Sequence, residues 1–184
     1  MENTALLIID IQNDYFPGGK MELDKATEAA EKTASILAYF REKDLPVFHI
    51  QHESIGENVT FFIPGTEGQR INTLVKPQGN ETVLTKNFPN SFMQTDLLEK
   101  LKEQKIKNLV ITGMMTLMCV DATARAAKDL GFHCTLIHDA TAARALEFNG
   151  KSVTADQVKT SFLSALSMIC DRVTTCEDFL KGTR

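Results

Sequence analysis

Short apolar runs alternating with longer stretches of helical spacing constrain this chain more than any other feature. The first run, over residues 4–10, carries Ala5-Leu6-Leu7-Ile8-Ile9 without a polar interruption. That is the pattern of a strand buried on both faces. Further strands are expected over residues 45–51, 81–85, 107–112, 132–138 and 172–175, and helices over 23–43, 92–103, 118–130 and 155–168. Strand and helix in strict alternation specify a parallel sheet with helices on both faces. A chain of 184 residues is enough for one such domain with a substantial core. Open sheets of this kind place their sites at the C-terminal ends of the strands.

Three chemically capable residues fall at such ends. Asp10 closes the first run, Lys86 follows the third strand, and Cys119 lies just after the fourth, in Thr112-Gly113-Met114-Met115-Thr116-Leu117-Met118-Cys119-Val120. Read at the first turn of a helix, Cys119 is biased toward thiolate by unpaired backbone N–H groups. Amide cleavage by a thiol requires a proton to leave sulfur and later to reach the departing amine. Asp10 fits both steps if burial at the strand end raises its pKa. Lys86 would supply a fixed cation, and backbone N–H groups of Met115 and Cys119 would face the oxyanion.

Composition removes several other functions. Hydrophobic residues make up 43% and charged residues 24%, so the chain is not of the disordered class. The net charge of -4 is dispersed and includes no basic run, which argues against nucleic acid and acidic membranes as partners. No apolar stretch approaches the roughly 20 residues of a membrane span, and the first run has no basic leader; a cytoplasmic location is expected. Cys119, Cys134, Cys170 and Cys176 form no close pair of the zinc or thioredoxin type, and the last three are expected to pack as buried hydrophobes. Neither the G-x-G-x-x-G of a dinucleotide site nor the G-x-S-x-G of a serine hydrolase is present. No cofactor is expected.

Two loops stand out. Residues 12–21 follow Asp10 directly, and residues 53–80 are too long for a simple connection. Their aromatics Phe16, Phe61 and Phe62, together with Phe88, Phe92 and Met115, are candidates for an apolar slot around a small planar substrate.

The segments Leu6 to Phe16, Pro64-Gly65-Thr66-Glu67-Gly68, Lys86 to Phe92 and Gly113 to Ala127 resemble the isochorismatase-like cysteine hydrolase family. The resemblance covers nearly the whole chain. It implies a three-layer α/β/α sandwich around a six-stranded parallel sheet of order 3-2-1-4-5-6. It implies an Asp-Lys-Cys triad of Asp10, Lys86 and Cys119, a non-proline cis peptide at Met114–Met115, and a homo-oligomer. In that order Lys86 leaves an outer strand, so the chain beyond it is expected to curl inward. The excursion over 53–80 is the expected contact between copies.

Departures from the family narrow the chemistry. Nicotinamidases of the family hold a metal with an Asp-x-His and a later His. Here His49-Ile50-Gln51-His52 stands in that region, no histidine follows in the loop, and no metal is expected. His49 reads as a buried strand residue and His52 as a loop residue near the pocket. Leu117, at an often polar position, is expected on the pocket floor. Retention of Cys119 favours cleavage of a C–N bond in a small amide, carbamoyl or ureido compound. A vinyl-ether hydrolase of the isochorismatase type, which needs Asp10 and no nucleophile, is the alternative. A non-catalytic scaffold or thiol sensor is the third reading.

Overall fold

A computed structural model describes residues 1–182. β1 (Thr4–Ile9) is buried along its whole length, as an uninterrupted apolar run requires. It pairs in parallel with β2 (Val47–His52) on one side and β4 (Asn108–Met114) on the other. β3 (Thr82–Lys86) lies outside β2, while β5 (His133–Ala142) and β8 (Arg172–Thr174) continue the sheet beyond β4. The order is therefore β3-β2-β1-β4-β5-β8, all parallel, with the expected chain reversal between β1 and β4.

Two cores cover the two faces of the sheet. Alternate residues of β1 divide between them: Leu6 and Ile8 join α1 (Ala26–Glu42) through Ala30, Ile36, Leu37 and Phe40. Leu7 and Ile9 meet the other layer, where Leu97 and Leu101 of α2 (Leu97–Glu103) and Ala124 and Ala127 of α3 (Asp121–Asp129) are buried. α4 (Ala155–Ser167) opens with a capping box between Thr154 and Gln157 and packs Leu166 on the same face. α5 (Cys176–Gly182) returns to the first face through Phe179.

Some boundaries differ from the expected ones. α1 begins at Ala26, after Lys25 in a left-handed conformation, because Asp24 is tied by its N–H to the Ala143 carbonyl at 2.9 Å. α2 begins at Leu97 instead of residue 92: Gln94 has φ +56°, and the Thr95 hydroxyl donates to the Ser91 carbonyl at 2.6 Å. β6 (Leu146–Phe148) and β7 (Lys151–Val153) form a hairpin with no counterpart in the sequence reading. Its turn is Asn149-Gly150, both at positive φ, a pair suited to a two-residue hairpin loop.

The excursion over 53–80 is ordered. Phe62 and Val75 are fully buried in the first core, and the Phe62 N–H donates to the buried Asp14 carboxylate at 2.7 Å. Asp14 also receives the Lys20 N–H, so one carboxylate fastens both loops above the end of β1. Cys134, Cys170 and Cys176 are buried free thiols, as expected. Burial pushes the Cys134 thiol up to about 12. No helix among the described residues is long and apolar enough to cross a membrane.

Candidate active site

The site forms where β1 ends between its two neighbours. Asp10 takes φ +50°, a left-handed conformation that aspartate tolerates, as the chain leaves the sheet. Its N–H still donates to the Ile50 carbonyl at 3.0 Å, and its own carbonyl accepts the Gln12 N–H at 3.0 Å. Its side chain is completely buried.

Lys86 is the last residue of the edge strand β3, in register with His52 of β2. Two strand spacings, about 10 Å, separate β3 from β1. The path of β3 itself does not close this gap. The lysine side chain crosses the end of β2 instead. Its Nζ lies 2.7 Å from Asp10 Oδ2 and donates to Cys119 Sγ at 3.3 Å. The contact with Asp10 is an ion pair off the hydrogen-bond axis, and neither carboxylate oxygen carries a well-aligned hydrogen bond. Asp10 therefore keeps acceptor capacity beside the sulfur. The segment after Lys86 is pinned across the site: Ser91 gives both its N–H (3.0 Å) and a hydroxyl contact (2.8 Å) to Thr123 Oγ1 of α3.

Cys119 enters from the other side. It sits in a wide, π-type turn, Thr116–Val120, which precedes α3 instead of being its first turn. The Met118 and Val120 N–H groups both donate to the Met115 carbonyl, and the Thr116 hydroxyl donates to Ala142 at the end of β5. Gly113 makes this approach possible. It has φ +122°, and a Cβ there would lie 2.0 Å from the Ile9 carbonyl oxygen. The Met114–Met115 peptide that follows is cis.

The electrostatics correct the expectation of a resting thiolate. Burial, and then the Asp10 carboxylate, push the Cys119 thiol well up; the Lys86 ammonium opposes them without overcoming them. For Lys86, burial favours loss of the charge, but Asp10 and Cys119 outweigh it and its pKa is raised. The resting site is thus a neutral thiol beside an intact ammonium–carboxylate pair. Tyr15, buried against the same charges, is held well above its ordinary value by burial and by Cys119, Asp10 and Asp14.

Donor atoms of Asp10, His52 and Cys119 lie within 4.8 Å of one another, a spacing that could hold a metal ion. Lys86 Nζ touches all three, so a cation placed among them would meet an ammonium. His49, the other strand histidine, is buried and bonded to Glu81 at 2.9 Å, on a separate network with Arg41.

The six slot candidates separate. Phe61 and Phe62 pack on each other and on Tyr15, with Phe62 only 6.0 Å from the His52 ring. Phe16 is buried in the first core, and Met115 is partly buried at the turn bearing Cys119. Phe88 is half-buried, two residues beyond Lys86. Phe92 is turned into the second core instead, where it stacks on Phe132. Leu117 packs with Ala143 and Val158 in a small cluster that Met115 also contacts.

Two further residues complete the site: Gln12, which was missed, and His52, which was expected only as a loop residue near the pocket. His52 is the last residue of β2, and its Nδ1 contacts Lys86 Nζ at 2.9 Å. Gln12, fully buried, accepts the His52 N–H at 2.7 Å and donates to the His52 carbonyl at 2.9 Å. The signal for His52 was the strand-end rule itself, applied to a strand read as ending one residue too early.

With this geometry in hand, comparison with known proteins is direct. A family model described as the isochorismatase domain matches residues 4–164. YddQ of Bacillus subtilis strain 168, an uncharacterized isochorismatase family protein, is 48% identical over 178 residues, covering 97% of this chain and 99% of its own length. A solved structure from Oleispira antarctica superposes with a TM-score of 0.93 at 47% identity, covering 98% of each chain. Nicotinamidase 3 of Arabidopsis thaliana is 28% identical over 181 residues, covering 92% of this chain and 86% of its own length.

Proposed function

The chain belongs to the isochorismatase family of hydrolases, and on that premise we propose that it cleaves a C–N bond of a small amide, carbamoyl or ureido compound through an acyl-cysteine. One observation carries the reading: Lys86 Nζ contacts Asp10 Oδ2 and Cys119 Sγ together, at 2.7 and 3.3 Å. The kinship with a nicotinamidase, whose name denotes amide hydrolysis, supports the choice of bond.

Cys119 attacks the carbonyl carbon as its proton passes to Asp10. The tetrahedral oxyanion is met by the N–H groups of Met115 and Cys119, each such donor being worth about 3–4 kcal/mol of the barrier. Collapse breaks the C–N bond, Asp10 returns the proton to the leaving amine, and a thioester remains on Cys119. Water, deprotonated by Asp10, then attacks the thioester. The acid departs and the thiol recovers its proton. Throughout, Lys86 keeps a positive charge beside whichever partner is anionic. Phe61, Phe62, Phe88 and Met115 are the proposed apolar walls.

The test is a panel of small amides, carbamoyl amino acids and ureides with the parent protein and Cys119→Ala. Turnover is expected only with Cys119, and a quenched reaction should carry an acyl group on the Cys119 peptide. Full turnover by Cys119→Ala on a vinyl ether, with loss in Asp10→Asn, would assign the isochorismatase-type reaction instead. We also infer self-association through the 53–80 excursion, where Ile55, Ile63 and Leu74 are exposed; sedimentation of Ile55→Lys against the parent tests it.

A further inference from the structure

Lys86 has three N–H bonds and three partners. Besides Asp10 and Cys119, its Nζ meets His52 Nδ1 at 2.9 Å, while the lysine side chain is entirely buried. Since an ammonium has no lone pair, His52 Nδ1 must be the acceptor and the imidazole proton must reside on Nε2. We propose that His52 is a positioning residue of the reaction above: a neutral acceptor that fixes the Lys86 ammonium where it donates to Cys119 and stays in ion-pair contact with Asp10. The inference rests on the proposed hydrolase reading and adds to it a fourth residue.

The surroundings explain why an imidazole suits this position. A carboxylate here would compete with Asp10 for the ammonium and add a second buried negative charge. An apolar residue would leave one N–H without a partner in a buried site. A neutral nitrogen lone pair supplies direction without charge. Its placement is fixed by the fully buried Gln12, whose amide pairs with both the N–H and the carbonyl of His52 and also donates to the Gln69 carbonyl at 2.6 Å. A side chain from the loop after β1 thus continues the sheet pairing past the point where the backbones part.

The titratable groups around His52 are Lys86 from β3, Asp10 from the end of β1, Cys119 from the π-type turn, and Glu53 next in sequence. Burial and the adjacent Lys86 hold the imidazole down to about 4, with Asp10 pulling the other way. His52 is therefore uncharged at neutral pH and gains a proton only as the pH falls through about 4.

The experiment compares His52→Ala and His52→Asn, the latter retaining a neutral acceptor near the Nδ1 position. Two readouts are used: kcat and KM on whichever panel substrate the parent turns over, and the pH profile of Cys119 alkylation by iodoacetamide, which needs no substrate. His52→Ala should lower kcat about 10–100-fold with KM little changed, the range expected for losing one hydrogen bond to a charged group. Its alkylation profile should move to higher pH, because a freed ammonium stabilises the thiolate less. His52→Asn should restore both. Parent-like kcat and alkylation in His52→Ala, or an Asn variant no better than Ala, would overturn the inference. Its failure is separable from failure of the hydrolase reading, which falls only if Cys119→Ala remains active.

Discussion

Removing the Asp10 charge should make Cys119 more reactive while abolishing turnover. In the parent, burial and the Asp10 carboxylate oppose the thiolate and Lys86 favours it. Asp10→Asn keeps the shape and deletes one of the two opposing influences. A ligand oxygen of Asp10 and Cys119 Sγ lie within 4.8 Å. At an effective dielectric of about 20, two unit charges at that distance interact by about 3.5 kcal/mol, or about 300-fold in the thiolate fraction. A more acidic thiol is a weaker nucleophile, with a Brønsted slope of about 0.45, which reduces the net gain in rate to about 20-fold. The assay is pseudo-first-order alkylation with iodoacetamide at neutral pH, followed on the Cys119 peptide by mass spectrometry. Reagent access affects parent and variant alike and cancels in the ratio. Hydrolysis in the same variant should fall by about 100-fold or more, since the proton carrier is gone. Alkylation unchanged or slower in Asp10→Asn would refute the reasoning, for it would mean that no carboxylate charge bears on the sulfur.

Other perturbations have equally definite outcomes. Lys86→Met strips Asp10 of its partner in a fully buried site and should destabilise the fold by about 3–5 kcal/mol, read from urea denaturation. Combining it with Asp10→Asn should recover part of that loss. Gly113→Ala should cost about 3 kcal/mol or more, because the added Cβ would meet the Ile9 carbonyl at 2.0 Å and φ is +122°; a midpoint like the parent's would contradict the close approach of β4 to β1. Glu81 tests the second buried network. Although burial alone would raise its pKa, hydrogen bonds from Arg41, Gln78 and His49 lower it to about 2 from an ordinary 4.5. Its folded pKa is depressed, so its contribution is complete above 4.5 and drains away as the pH falls toward 2. Thermal melts of Glu81→Gln should be less stable than the parent at neutral pH and converge with it in acid.

What the sequence made legible follows from where physical signals are local. The uninterrupted run through Ile9 marks a buried central strand, and a polar residue closing such a run is conspicuous, so Asp10 could be read directly. Lys86 and Cys119 yield to the same strand-end rule. The route by which Lys86 reaches Asp10 could not be read, because it depends on a side chain crossing β2 and not on the backbone path. Phe92 and Phe88 look alike in sequence, yet Phe92 stacks on Phe132 in the second core. Only the tertiary course of the turn before α2 distinguishes them. The hairpin at Asn149-Gly150 did carry a recognisable turn signal. It was obscured because its strands are only three residues long and exposed. The resting state of Cys119 misled for a different reason. Position near a helix start favours a thiolate, but burial and an adjacent carboxylate are stronger, and neither is visible in a linear chain.

In the proposed reaction, sulfur rests protonated and releases its proton only to Asp10 during attack. Thiolate ultraviolet absorbance, recorded against pH for the parent and for Cys119→Ser and taken as their difference, isolates this one sulfur. No step is expected until the pH has passed the ordinary cysteine value of about 8.5. A step centred at or below neutral pH would show a preformed thiolate and contradict the proposed reaction.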